Sequence, residues 1–502
     1  MNLYQKFPLA LIGAVATMAI AQPTVVFAIS AKVPSITVAT EPKAEDFFIQ
    51  GHEKYEKGDY QGAVAAFTQA ILLNPNDAQA YYNRGVARSN LGDKQGEIAD
   101  YNQALRINPN YAKAYYNRGV ARSDLGDKQG EIADYNEVVR INPSDAQAYG
   151  NRGLARYELG DKQGAVADYN QALRINPNYA KAYYNRGVAR SDLGDKQGAV
   201  ADYNEVLRIN PSDAKAYGNR GLDRYELGDK QGAVADFNQA LRINPSDADA
   251  YNNRGAARFG LGDKQGAVAD YNQALRINPN LAQAYYNRGT ARSNLGDKQG
   301  AVADYNEVVR INPNLAQAYY NRGNARFDLG DKQGAVADYN EAVRINPNYA
   351  QAYLNRGVTR SDLGDKQGAV ADYDQVLRIN PSDAIAYLNR GNVRSDLGDK
   401  QGAVADDDQA LRINPNFAVA YNNRGKARHK SGNKQGAIAD YDQALRINPN
   451  LAGVYNNRGD ARDDLGDKQG AIQDYQKAAD LFQQQGDKDN YQKAINNLRK
   501  LQ

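Results

Sequence analysis

The stretch Ala78–Tyr111 reads AQAYYNRGVARSNLGDKQGEIADYNQALRINPNY, and the residues from Ala112 onward repeat it almost letter for letter. The pattern restarts at Ala146, Ala180, Ala214, Ala248, Ala282, Ala316, Ala350, Ala384, Ala418 and Ala452, and a divergent first copy opens at Ala44. Thirteen copies of 34 residues therefore run without a gap from Ala44 to Gln485. A fixed period of this length marks a solenoid, in which each unit buries its apolar face only against its neighbours. Positions below are numbered 1–34 from the opening Ala.

Within one unit the apolar residues Tyr81, Leu91, Tyr101, Ala104 and Ile107 fall at helical spacing. Two helices are predicted, helix A over roughly positions 2–14 and helix B over roughly 18–31. Between them lies Leu91-Gly92-Asp93-Lys94, in which Gly92 suits a left-handed C′ residue and Asp93 an N-cap. Pro109 ends helix B, and Asn110 is expected to cap the next helix. Gly85 in mid-helix costs about 1 kcal/mol relative to Ala, so it is expected where helix B packs too closely for a Cβ.

Tyr81, Arg84, Gly85, Arg88, Glu97, Tyr101, Ala104 and Pro109 stand at positions 4, 7, 8, 11, 20, 24, 27 and 32. With the 34-residue period, this pattern resembles the tetratricopeptide repeat. The resemblance implies an all-α fold: a right-handed α-solenoid, or superhelix, of about thirteen helix–turn–helix repeats, with helix A lining a concave groove. Arg84 and Arg88 depart from the family's apolar positions, and Arg84 is expected to pair with Asp100 across the hairpin. The first copy has lost both partners, reading Gln50 and Ala66. As an exposed pair this contact is worth ~0–1 kcal/mol. Glu97 and Glu131 occupy a packed position that is Ala elsewhere and need a partner. Asp407 replaces the position-24 aromatic and Ser431 the position-14 Leu, so the softest junction is expected there, each site losing about 1–3 kcal/mol of apolar contact.

The chain has 502 residues, a net charge of +3 and no cysteine. The near-zero charge gives no field that draws in nucleic acid, and the absence of Cys excludes disulfides and thiolate metal sites. The two histidines, His52 and His429, lie far apart, and no phosphate loop, nucleophile elbow or zinc motif is present. Asp406-Asp407-Asp408 lacks calcium-loop spacing and reads as a solvated helix start. No cofactor, metal or catalytic residue is expected. Residues 1–29 read as a signal peptide or membrane anchor of bacterial type, with cleavage after Ala21 or Ala28, and 30–43 as a linker. The array is thus expected to be exported to a periplasmic, lumenal or extracellular space. Residues 486–502 form an amphipathic capping helix with Tyr491, Ala494, Ile495, Leu498 and Leu501 on one face.

The resemblance also implies a non-catalytic scaffold for peptide segments or partner proteins, held by positions 2, 5, 6, 9, 12 and 13 of helix A. Position 6 is Asn at Asn83, Asn117, Asn151, Asn185, Asn219, Asn253, Asn287 and Asn321, among others. Such amides either face a ligand backbone or bond the neighbouring helix. Aromatics trade places on the same face: Tyr82, Tyr116, Tyr184 and Tyr286 at position 5, then Tyr157, Tyr225, Phe259 and Phe327 at position 12. Gly150 and Gly218 stand at position 5 where Tyr157 and Tyr225 stand at 12; such a stripe is either packing between repeats or an open aromatic wall. Lys113, Asn117, Asn151, Lys181 and Asn185 approximate the carboxylate clamp of some family members, with Asn185 in place of its Arg. Two other readings are a structural spacer or assembly platform of the cell envelope, and an anionic-polymer or nucleic-acid binder using the Arg ladder.

Overall fold

Each unit folds as two antiparallel helices joined by a tight turn. In the second repeat these are helix A, Ala78–Asn90, and helix B, Lys94–Ile107; the same spans recur through the twelfth, and the thirteenth lengthens both, to Ala452–Leu465 and Lys468–Gln484. Both helices begin one position earlier than the sequence pattern placed them. The computed structural model describes residues 43–501, which hold 27 helices and no strand. The leader and the linker up to residue 42 lie outside the described residues.

The turn is built as its residues dictate. Gly92 adopts φ +77°, which L side chains resist, and the Asp93 carboxylate accepts the Gly96 amide at 2.9 Å. The entry to helix A differs from expectation. Asn110 caps nothing; its own amide donates to the Asn108 side chain at 3.1 Å, and helix A starts after Tyr111 with no side-chain cap. From the second repeat on, helix A has a side-chain N-cap where Asp stands at the preceding position 34, as where Asp145 accepts the Ala148 amide at 2.9 Å.

Close packing explains the mid-helix glycine. A Cβ on Gly85 stands 2.7 Å from the Tyr101 ring, so the ring of helix B occupies the space a side chain needs. Ala80, Ala87 and Ala104 are fully buried around it. Leu105, not Ile107, completes the core, and Leu91 is 44% exposed at the turn.

The chain divides into two compact units, one ending at Asp263 and one beginning at Lys264. In the first, the A helices of the fourth to seventh repeats touch in sequence, and in the second those of the eighth to thirteenth do. Neighbouring A helices thus lie nearer one another than neighbouring B helices.

The first and last described helices differ from the inner ones. The first repeat places exposed Asp46 and Glu53 at positions 3 and 10, where Ala80 and Ala87 are buried in the second. At the other end, helix Lys488–Leu501 buries Ala494 and Leu498 against Ala471, Tyr475, Ala478 and Phe482.

Candidate functional site

The A-helix face stands on a layer of polar bonds. Arg84 grips Asp100 through two nitrogens at 3.0 and 2.6 Å, and Arg88 adds a third bond at 2.9 Å. Asp100 is 2% exposed, so the pair belongs to the interior rather than the surface. The Arg84 guanidinium also lies 5.5 Å from the Tyr81 ring centroid, a cation–π distance. Breaking a buried pair by removing one partner costs about 3–5 kcal/mol, well above the value for an exposed pair. Asp134, Asp168 and Asp202 repeat the arrangement, and Arg458 and Arg462 still hold Asp474 in the last repeat. Both arginines of the ladder are therefore spent on carboxylates, which removes the feature that favoured a nucleic-acid reading.

The same arginines join consecutive repeats. Arg118 Nη1 donates to Asn102 Oδ1 of the preceding repeat at 2.6 Å, and Arg84 Nη1 to Thr68 at 3.1 Å. In the tenth to twelfth repeats position 25 is Asp, and the bond becomes an ion pair: Arg390–Asp374, Arg424–Asp408 and Arg458–Asp442, each 2.5 Å. Asp406 meanwhile holds Arg390 and Arg394, so the run Asp406-Asp407-Asp408 is not a solvated helix start. A second tie runs along the turns, where Lys94 meets Asp124 of the next repeat at 2.6 Å and Lys128 meets Glu158 at 2.6 Å. Those lysines also serve the buried Glu97 and Glu131 at 3.3 and 3.1 Å. Burial still raises the Glu131 pKa.

On the A face itself several position-6 amides bond the neighbouring helix, while Asn253 and Asn287 accept within their own. Asn117 donates to the Tyr82 hydroxyl at 3.1 Å, Asn151 to Tyr116 at 2.9 Å, Asn219 to Tyr184 at 3.0 Å and Asn321 to Tyr286 at 2.9 Å. Asn83 meets His52 at 2.9 Å, Asn253 accepts from Asn252 at 3.2 Å, and Asn287 accepts from Gln283 at 3.0 Å.

The aromatic wall is mostly interior. Tyr184 and Tyr286 are buried, Tyr82 and Tyr116 are half-buried, and burial raises the Tyr184 pKa to about 12. At Gly150 the exchange is packing: a Cβ there stands 3.0 Å from the Tyr179 ring, which fills the vacated space. Tyr157 donates to Asp192 at 2.5 Å, Lys332 lies 5.8 Å from the Phe327 ring centroid, and Tyr225 and Phe259 are half-buried.

Tetratricopeptide-repeat family models match residues 50–112, 100–133, 180–213, 248–281, 270–303, 384–417, 418–451 and 452–485. A further model described as TPR repeat matches 153–194, 221–262, 294–330, 323–364 and 359–398. The chain belongs to the tetratricopeptide repeat family. No curated protein matches the sequence significantly. Among solved structures it is similar to MamA, with 28% identity, 32% of this chain and 94% of that one covered, and a TM-score of 0.32. It is also similar to YrrB, a TPR protein with an unusual peptide-binding site (24% identity, 37% and 95% covered, TM-score 0.33). A third is the APC/C hetero-tetramer Cut9–Hcn1 (16% identity, 92% and 96% covered, TM-score 0.38).

The residues nearest a tetratricopeptide carboxylate clamp are only partly available. Lys113 and Lys181 are exposed, but Asn117 and Asn151 give amide protons to tyrosines and Asn185 is buried. What stays open in these tetratricopeptide repeats is position 2. Gln79, Lys113, Gln147, Lys181, Lys215, Gln317, Gln351, Ile385 and Val419 are all exposed there, and Asp249 and Gln283 are half-buried.

The eleventh tetratricopeptide repeat carries a buried carboxyl group with an unpartnered oxygen. Asp407 is 2% exposed, and its Oδ1 has no hydrogen-bond partner. Burial raises its pKa to about 8, against the pull of Arg424. Ser431 is a lesser defect than its position suggested, because the Leu it replaces is 44% exposed in the second repeat and 54% in the third.

Proposed function

We propose that the chain is a non-catalytic scaffold that binds peptide segments or partner proteins on its A-helix face, outside the cytoplasm. One observation carries this reading. Position 2 is exposed in nearly every repeat and changes chemistry from Gln to Lys to Ile, while the Arg–Asp layer behind it hardly changes. A uniform frame with a varied open row is what recognition along an extended surface requires. Membership of the tetratricopeptide family supports it, and the leader-like residues 1–29 support export.

Two affinity captures from envelope extract test the reading, one with the full chain and one with a chain carrying Glu at Gln79, Lys113 and Lys181. A partner retained by the first and lost by the second is the expected result. A partner retained equally by both contradicts binding on this face. The spacer reading predicts instead that deleting whole repeats changes the dimensions of an assembly and no binding constant.

A further inference from the structure

The A face changes character at the eleventh and twelfth repeats. Helix A of the eleventh repeat spans Ala384–Asp396 and that of the twelfth Ala418–Lys430. Here position 5 is Leu388 and then Asn422 instead of Tyr, as Leu354 already is in the tenth repeat, and amide–amide bonds replace the phenol–amide ones. Asn457 donates to Asn422 at 3.0 Å, Asn422 to Asn423 at 3.5 Å, and Asn423 to Asn392 at 2.7 Å. This chain of amides crosses three A helices. Beside it, position 2 turns aliphatic, with Ile385 53% and Val419 47% exposed.

The charge also reverses. Position 13 is acidic in the third to sixth and ninth to eleventh repeats, and each of these carboxylates is held by a Lys of the preceding repeat, as Asp396 is by Lys366 at 3.0 Å. In the twelfth repeat it is Lys430, and Lys400 turns to the Lys430 carbonyl at 2.9 Å instead. Lys426 stands at position 9 of the same helix, and no carboxylate among the described residues pairs with either ammonium. The surrounding wall, and after it Lys430, lowers the Lys426 pKa. The facing acids are engaged elsewhere: Asp464 meets His429 at 2.9 Å, and Asp460 accepts from Tyr475 at 2.8 Å.

We infer that these two helices form a subsite for an extended peptide with an aliphatic side chain followed by an acidic one. The aliphatic group packs on Ile385 and Val419, the peptide backbone runs over the amide chain, and the carboxylate seats between Lys426 and Lys430. The rise from Val419 to Lys426 is ~10 Å and to Lys430 ~16 Å, which an extended strand covers in about three to five residues. The inference rests on the A face being the binding face.

Selection of a random peptide library displayed on phage against the full chain tests it. The expected winners share that aliphatic–acidic spacing and lose about tenfold or more of their affinity for a K426E/K430E chain. Both lysines are exposed, so the fold is retained, which circular dichroism checks; K430Q gives a milder second variant. Winners without an acid, or winners bound equally by K426E/K430E, overturn the subsite but leave the scaffold reading standing if I385D, K113E or K181E abolishes their binding. Winners indifferent to every A-face substitution, or no winners, overturn both. A single-stranded oligonucleotide bound with the same lysine dependence overturns the peptide assignment in favour of a polyanion.

Discussion

Arg118 Nη2 lies 2.5 Å from Asp134 Oδ1 in its own hairpin, while Nη1 of the same guanidinium reaches Asn102 of the hairpin before. One side chain thus fixes both the register of two helices and the angle between two repeats. The first repeat carries Gln50 in place of the Arg.

Asp134 accepts from both Arg118 and Arg122, so its loss leaves two buried or half-buried cations without their carboxylate. D134A is expected to cost about 3–5 kcal/mol, measured by denaturant unfolding. R122A is expected to cost less, because Arg118 keeps the carboxylate paired. Native-state hydrogen exchange should localise both losses to the second to fourth repeats.

G85A sets helix propensity against packing. Ala gains about 1 kcal/mol in the helix, but its Cβ meets the Tyr101 ring at 2.7 Å, and overpacking costs about 1–3 kcal/mol. Net destabilisation is expected. G391A should be milder, since the equivalent ring is missing and the nearest atom is Asp406 Cβ at 3.2 Å. Thermal melts of the two variants check the order.

Asp407 predicts an unusual pH dependence. Its folded pKa is about 8 against an ordinary 3.8, so the folded state holds a proton that the unfolded state has released. Its contribution to stability is therefore full below about pH 4, falls as pH rises and levels off above about pH 8. Arg424, Asp406, Asp408 and Asp440 are the charges that bear on it. The difference between wild-type and D407N unfolding free energies, followed from pH 4 to 8, should trace that fall. D407Y, restoring the ring, should stabilise the eleventh repeat at neutral pH by about 1–3 kcal/mol.

Tyr184 ties the fifth repeat to Asn219 of the sixth. Asn219 is 5% exposed, and its Oδ1 already lacks a partner. Y184F removes the acceptor of its amide and is expected to cost about 1–3 kcal/mol, read from the unfolding midpoint.

The repeat, both helices, the turn at Gly92, the close approach at Gly85 and the Arg84–Asp100 partnership were legible because each lies within one period. The ties between repeats were not. They join position 5 to 6, 7 to 25 and 17 to 13 of adjacent copies, and a periodic pattern does not say which positions of two copies meet. Signals for them existed in the constant polarity of position 25 and the pairing of Lys94 with Asp124 one repeat on. The exchange at position 5 leaves packing and an open wall equally legible in the sequence, and at Gly150 it is the Tyr179 ring that fills the slot. The Ile385–Lys430 patch was visible only as departures, and it gained meaning once the rest of the face was seen to be occupied.

Binding on the A face is tested most directly by photocrosslinking. A benzoylphenylalanine placed singly at Gln79, Lys113, Lys181, Gln351 and Val419 is compared with the same group at exposed Arg106, Arg174 and Arg242 of the B helices. Partner adducts from the first set and none from the second are the predicted result. Adducts from the B-helix set alone would contradict the account.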